Sequence, residues 1–165
     1  MYRFEIQLRV RTAKFGSTNM AARVIHFGVD DCYRLSVLRR AGYDIDDCRN
    51  LVQLRAALES KREADAVMVN DSSGSIPEFV ISLARSRSTA PIILFPNSSR
   101  TYSTEPVDLV VPSFTPPEDW LLDLANLIVR SRTLRACSQL LQEAEHAASA
   151  ASSKSGRRAP NLEAD

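Results

Sequence analysis

Asp65-Ala-Val-Met-Val-Asn-Asp71 is the stretch that decides the fold of this chain. Its apolar centre, from Ala66 to Val69, predicts a short buried strand. The strand delivers an amide and a carboxylate, Asn70 and Asp71, to its carboxyl end. In open α/β sheets the carboxyl ends of the strands form the edge where ligands bind and chemistry takes place. We therefore expect the functional edge of this protein at these two residues.

On both sides of this stretch, short apolar runs alternate with amphipathic helical patterns. Such alternation predicts a parallel sheet with crossover helices. Asp30 or Asp31 can cap the first helix, Asn50 can cap the second, and Pro77 suits the first turn of the third. The predicted strands are 23–28, 43–46, 66–69, 91–95 and 108–111. The predicted fold is a three-layer α/β/α sandwich around a five-stranded parallel sheet, with an extended C-terminal helix.

The last predicted helix runs from about Trp120 to about His146. Apolar residues recur along it at intervals of seven, at Trp120, Leu127, Leu134 and Leu141. The companion heptad positions Asp123 and Arg130 are charged, so a full coiled-coil seam is not predicted. We expect the helix to pack on the sheet first and then to project beyond it, where a homodimer or partner contact can form.

The chain divides into four regions by composition. Residues 1–20 form a peripheral N-terminal extension, and Met20 leaves open whether residues 1–19 belong to the expressed protein. Residues 21–132 are the predicted domain, and 133–147 are its helical extension. Residues 148–165 are rich in Ala, Ser, Arg and Pro. Such a tail buries too little apolar surface to order itself, so we expect it to be disordered.

Bulk composition excludes several function classes. The net charge is +1, from 21 basic and 20 acidic residues, so no global field favours nucleic acid or membrane surfaces. No apolar run approaches the roughly 20 residues that span a membrane. Three widely spaced cysteines, Cys32, Cys48 and Cys137, predict neither a zinc site nor a disulfide framework. We expect a cytoplasmic protein with reduced cysteines.

From Arg23 to about Arg132, the order of elements resembles a response-regulator receiver domain, which has flavodoxin-like topology. Four stretches carry the resemblance: a first strand followed by Asp30-Asp31, the turn Ala41-Gly-Tyr-Asp44, the strand Asp65–Asp71, and the segment Asp108-Leu-Val-Val-Pro-Ser-Phe114. The resemblance implies a module of two-component, or phosphorelay, signal transduction. Its expected partners are a histidine kinase or another signalling protein.

The resemblance also implies a set of chemical parts. Two acidic residues after the first strand hold Mg²⁺, and an aspartate after the third strand accepts the phosphoryl group. A hydroxyl after the fourth strand, a lysine after the fifth strand and a nearby aromatic residue complete the switch.

This sequence departs from the family pattern at most of these positions. Asn70 takes the place of the phosphoaccepting aspartate, and Asp71 follows it. Pro96 replaces the hydroxyl, Val111 the lysine and Asp108 the aromatic residue. Asp30 and Asp31 lie late in the sequence, so Phe27-Gly28 is the alternative candidate for the acidic-pair positions. An amide is a poor nucleophile and carries no charge to bind Mg²⁺.

Several roles stay open for the acidic residues. Asp71 can act as a shifted phosphoacceptor with Asp30 and Asp31 as metal ligands, or it can cap the loop that follows. Asp30 and Asp31 can equally cap the first helix. His26, inside a buried strand pattern, is predicted to be a core histidine with a hydrogen-bond partner.

The sequence favours a degenerate receiver, or pseudo-receiver, that is not an enzyme and acts by protein–protein contact. In that case no cofactor is expected, and Mg²⁺ binds only if the acidic pocket is active. One alternative is an active receiver that a histidine kinase phosphorylates on Asp71. Another is a small flavodoxin-like enzyme or nucleotide-binding protein, which the absence of a Gly-rich phosphate loop disfavours.

Overall fold

A computed structural model describes residues 21–71, 77–96 and 107–155 of the chain. Its strands are β1 Arg23–Phe27, β2 Asp44–Cys48, β3 Ala66–Asn70, β4 Ile92–Phe95 and β5 Leu109–Val110. They form one sheet in the order β2-β1-β3-β4-β5, and every pair of neighbours is parallel. The predicted five-stranded parallel sheet is confirmed.

Helices cover both faces of the sheet. They are α1 Arg34–Arg40, α2 Leu51–Leu58, α3 Pro77–Arg87 and α4 Pro117–Ser155. One core joins α2 and α3 to the sheet, and the other joins α1 and the first part of α4 to its opposite face. Side chains of β3 alternate between the cores, with Val67 and Val69 in one and Ala66 and Met68 in the other. The predicted three-layer sandwich is confirmed.

The edge strand β2 lies slightly later than predicted, at Asp44–Cys48 instead of 43–46. Its register against β1 sets these bounds, since Arg23 pairs with Asp44 and Phe27 pairs with Cys48. Local apolar pattern could not reveal this, because three of the five residues of β2 are aspartates. An edge strand tolerates them, and two of them, Asp46 and Asp47, bond to side chains of β1.

Two helix caps occur where the sequence predicts them. Asp30 accepts hydrogen bonds from the backbone N–H groups of Arg34, at 2.8 Å, and Leu35, at 2.9 Å. The Asn50 side chain accepts from the N–H of Gln53 at 3.0 Å. These bonds satisfy donors that a helix N-terminus leaves free, and they fix where α1 and α2 begin.

Helix α4 is longer than the sequence analysis predicts. It continues through 39 residues to Ser155, beyond the expected end near His146. The expected disordered tail therefore begins as helix over 148–155, where alanine favours helix formation. Residues 156–165 and the extension 1–20 lie outside the described residues.

A carboxylate at the amino end of β3 ties α4 to the sheet. Asp65 receives a bidentate pair of bonds from Arg132, at 2.7 and 2.6 Å, and a further bond from Arg135 at 3.1 Å. It also accepts from the backbone N–H of Arg23 at 2.9 Å. Burial alone raises the pKa of Asp65, but these bonds outweigh it and hold that pKa below its ordinary value. Arg132 and Arg135 are thus engaged within the domain.

Candidate functional site

The carboxyl edge of the sheet collects the ends of three neighbouring strands, β1, β3 and β4. Asn70 is the last residue of β3, and it lies beside Phe95, the last residue of β4. The chain continues in register for one more step, because the N–H of Asp71 donates to the carbonyl of Phe95 at 3.0 Å. The predicted pair Asn70 and Asp71 thus lies at the edge where proteins with an open α/β sheet bind ligands.

Gly28, directly after β1, lies against the end of β3. Its φ of +112° is one that residues with a Cβ rarely adopt. A Cβ placed on Gly28 would lie 2.6 Å from the carbonyl oxygen of Asn70. The Asn70 amide in turn donates a hydrogen bond to the carbonyl of Val29. The loop after β1 is therefore held against the carboxyl end of β3. Gly28 is also one of the two residues that the resemblance offers as an alternative for the acidic-pair positions.

The Asp30 carboxylate is occupied by the α1 backbone. Each of its oxygens accepts one of the two N–H bonds that cap this helix. The capping role proposed for Asp30 or Asp31 is thereby confirmed for Asp30, while Asp31 is exposed. Across the described ranges, no group of three acidic, histidine or cysteine side chains is arranged to hold a metal ion.

Asp71 is buried, with 6% of its surface exposed. The loop that it would cap, residues 72–76, lies outside the described residues, so its capping role stays a prediction. Its role as a shifted phosphoacceptor also stays a prediction. The position itself is settled: Asp71 is one residue beyond the strand end that carries Asn70.

The three remaining positions of the expected switch, Pro96, Val111 and Asp108, do not all lie at the same edge of the sheet. Pro96 follows β4 at the carboxyl edge, and Val111 follows β5 with its side chain buried in the core between the sheet and α4. Asp108 lies at the opposite edge, where its carboxylate accepts from the N–H of Ile92 at 2.7 Å and pairs with Arg85. The structure thus brings Pro96 and Val111 to the functional edge and leaves Asp108 away from it.

Arg34 is a residue of this edge that the sequence analysis missed. Its guanidinium carbon lies 4.1 Å from the ring centroid of Phe95, which also meets Trp120 edge to face at 5.9 Å. A cation over an aromatic face is attracted by the ring quadrupole. Burial lowers the pKa of the Arg34 guanidinium. The edge thus carries a cation from α1.

His26 has the predicted structural role. It is buried in β1, and its Nδ1 lies 3.1 Å from an Asp47 carboxylate oxygen on β2. Burial lowers the pKa of His26 despite the opposing effect of Asp47. The imidazole therefore belongs to the core and not to the carboxyl edge.

The chain resembles known proteins at the level of structure. No family model matches the chain, and no curated protein sequence matches it. Solved structures do match it. One is titled as an adenylate cyclase from Rhodopirellula baltica, with a TM-score of 0.64, 16% identity, and coverage of 74% of this chain and 98% of that one.

Two further neighbours carry receiver domains by title. The signal receiver domain of an HD domain-containing protein from Pseudomonas fluorescens Pf-5 has a TM-score of 0.63 and 12% identity, over 75% of this chain and 98% of that one. The receiver domain of a sensor histidine kinase from Pseudomonas aeruginosa PAO1 has a TM-score of 0.52 and 14% identity, over 66% and 98%. That structure holds a magnesium ion in its active-site cleft. At these identities the likeness concerns the fold alone. The chain has the receiver fold.

The two loops beside this edge each hold an aromatic residue in the left-handed region. Tyr33, just before α1, has φ +56°, and Phe114, between β5 and α4, has φ +71°. Both side chains are exposed, Tyr33 by 78% and Phe114 by 98%. Left-handed backbone at a bulky residue is strained, and such strain concentrates at functional sites.

In the part of the chain that the structure describes, no helix combines the length and the apolar character that crossing a bilayer requires.

Proposed function

We propose that this protein is a receiver-type module of a two-component system that has lost phosphoryl transfer and acts through protein–protein contact. The observation that carries the proposal is the packing of Gly28 on the carbonyl of Asn70. Receiver phosphorylation needs a carboxylate nucleophile and a bound Mg²⁺ at that point, and here an amide and a backbone contact take their place.

Three of the candidate residues, Asn70, Asp30 and Val111, make structural contacts in this chain. Asn70 holds the loop after β1 through its bond to Val29. Asp30 caps α1, and Val111 packs in the core. Stabilising the charge of a transferring phosphoryl group depends on a metal and a nearby cation acting together. With these parts committed elsewhere, we infer no enzymatic activity and no resident cofactor.

Partner contact is proposed at the carboxyl edge, through Tyr33 and Phe114. The two residues lie in the loops that lead into α1 and α4, which pack on the same face of the sheet. Exposed aromatic side chains supply large contact area at protein interfaces. The proposed partner is a signalling protein, such as a histidine kinase, that recognises the receiver fold without transferring a phosphoryl group to it.

Incubation with acetyl phosphate and Mg²⁺, followed by intact-mass measurement, tests the proposal. We expect no phosphoryl adduct on the wild-type protein under conditions that label an active receiver in the same tube. A stoichiometric adduct that disappears in Asp71→Ala would instead establish the active receiver and overturn the proposal.

Asn70→Asp is the informative companion variant. It restores the carboxylate at the family position, but Gly28, Asp30 and Val111 are unchanged. We expect it to remain unlabelled by acetyl phosphate, since the acidic metal ligands and a lysine at position 111 are still lacking. Labelling of Asn70→Asp would show that the rest of the pocket is still competent and that a single substitution silences it.

A further inference from the structure

Arg34 differs from the other partly buried arginines in the described part of the chain. Four arginines there are buried or half-buried: Arg23, Arg34, Arg85 and Arg135. All of them except Arg34 form an ion pair with a carboxylate. The guanidinium of Arg34 has no ion pair and no hydrogen bond within the described residues. Its charge therefore lacks the counter-ion that burial ordinarily requires.

The core holds the Arg34 guanidinium in a fixed place at the carboxyl edge. Its central carbon lies 4.1 Å from the ring centroid of Phe95, the last residue of β4. Phe95 is buried, with 1% of its surface exposed, and Trp120 packs on the same ring edge to face. The ring attracts the positive charge, but it has no oxygen to accept the N–H donors of a guanidinium. The cation is therefore positioned, while its donors have no acceptor among the described residues.

The two aspartates before α1 do not neutralise Arg34. Both oxygens of Asp30 accept backbone N–H bonds, one from Arg34 and one from Leu35. Asp31 is exposed, and in the described ranges it forms no ion pair with Arg34. Burial lowers the pKa of Arg34 despite the opposing charges of these aspartates. The hydration that Arg34 loses is therefore not replaced by the carboxylates that precede it.

We propose that Arg34 binds a carboxylate of the signalling partner, from an aspartate or glutamate side chain. A guanidinium presents a pair of parallel N–H donors that match the two oxygens of a carboxylate. A doubly charged phosphate fits less well, because Asp30 and Asp31 lie near Arg34 and repel the second charge. The inference rests on the proposed partner contact at this edge and gives the chemistry of that contact.

Exposed aromatic residues accompany Arg34 at this edge. Tyr33 directly precedes Arg34 in the chain and is 78% exposed. Phe114, 98% exposed, lies in the loop that leads into α4, the helix that supplies Trp120 to the Phe95 ring. A cation beside exposed aromatic side chains suits a partner segment that carries an acidic residue next to an apolar one.

NMR titration of the isotope-labelled full chain with sodium acetate tests the site. Sodium chloride keeps the ionic strength constant, and no Mg²⁺ is added. We expect a saturable shift of the Arg34 Nε–H signal, with a dissociation constant of roughly 10 mM for one charge-assisted pair. The Nε–H signals of Arg39 and Arg40, exposed residues of the same helix, are the controls in the same spectrum and should show no saturable shift. Inorganic phosphate should bind more weakly than acetate.

Substitution of Arg34 separates its charge from its geometry. Arg34→Lys keeps the charge but loses the paired donors, so acetate should bind this variant about tenfold more weakly, measured at the backbone amide of Leu35. Arg39→Gln is the matched control on α1 and should bind acetate as the wild-type protein does. The wild-type titration does not depend on the folding of either variant.

Two short peptides test the recognition of an acidic residue beside an apolar one. We expect acetyl-Glu-Phe-amide to shift the signals of Tyr33 and Arg34, and acetyl-Gln-Phe-amide, which lacks only the charge, to shift neither. An equal response to both peptides would overturn the carboxylate assignment, as would tighter binding of phosphate than of acetate. The site itself would be overturned by the absence of a saturable acetate shift at Arg34, or by an equal shift at Arg39.

Failure of the Arg34 site and failure of the proposed function give different results. A negative acetate titration would overturn the site and leave the loss of phosphoryl transfer standing. A phosphoryl adduct formed from acetyl phosphate would overturn the proposed function, but it would not alter the acetate titration, which uses neither Mg²⁺ nor a phosphodonor.

Discussion

Gly28 and Asn70 determine, at the scale of single residues, what the carboxyl edge can do. A side chain at position 28 would need both a φ near +112° and space that the Asn70 carbonyl occupies. An acidic metal ligand cannot be accommodated there without moving the strand end. We propose that Asn70 at the phosphoacceptor position and the close approach of Gly28 are two parts of one rearrangement.

Alanine substitution of Gly28 and of Gly42 separates the cost of a positive φ from the cost of a steric clash. Gly28→Ala should lower the free energy of unfolding by about 3 kcal/mol, since it combines a positive φ with a backbone clash. Gly42→Ala, at φ +88° with nothing within 4 Å of the added methyl group, should cost only about 1 kcal/mol. Urea unfolding measures both, and equal losses would contradict the close contact at Gly28.

Phe114 gives a residue-level test of the proposed contact surface. Phe114→Gly should raise the free energy of unfolding by about 1 kcal/mol, because glycine adopts φ +71° without strain and the exposed ring contributes no packing. Phe114→Ala keeps the strain and should show little gain. If Phe114→Gly destabilises the protein instead, the ring has a structural role and is not held ready for a partner.

The anchoring of α4 by Asp65 is the main feature at the scale of elements. This carboxylate connects β3 to Arg132 and Arg135 and bonds the backbone of β1 at the same time. The long helix therefore leaves the domain from a fixed point at the amino edge of the sheet. That fixed point sets the direction in which the rest of α4 leaves the domain.

Acid should release this anchor. The pKa of Asp65 is lowered in the folded protein, so its contribution is fully present above the ordinary pKa of an aspartate and is lost as pH falls through the folded value. Asp65→Asn should lower the free energy of unfolding by about 2 kcal/mol at pH 7. Denaturant titrations should show this difference narrowing towards pH 3. If Asp65→Asn lowers the free energy of unfolding by the same amount at pH 7 and at pH 3, the ionised Asp65 carboxylate is not the anchor of α4.

The sequence predicts more of the fold than of the site, for a physical reason. Apolar runs such as Ala66–Val69 and caps such as Asp30 and Asn50 are local signals, and the structure confirms them. The meeting of Arg34 with Phe95 depends on contacts between residues far apart in the chain. No local pattern reveals such contacts. For the same reason, the sequence does not reveal the bounds of β2, which its pairing with β1 determines.

At the scale of the whole molecule, the protein combines a receiver fold with a long C-terminal helix. We propose that phosphoryl transfer at the carboxyl edge is lost and that this edge serves contact with a signalling partner. Signal transmission then depends on which surfaces are assembled and not on a phosphorylated aspartate.

The most direct test of the central claim is an NMR titration of the full chain with Mg²⁺ and beryllofluoride, an analogue of the phosphoryl group. We predict that the backbone amide signals of Asn70, Asp71 and Val111 do not move, because no group of acidic side chains among the described residues is arranged to hold the metal. Saturable shifts of these signals that require both additives, and that vanish in Asp71→Ala, would contradict the account.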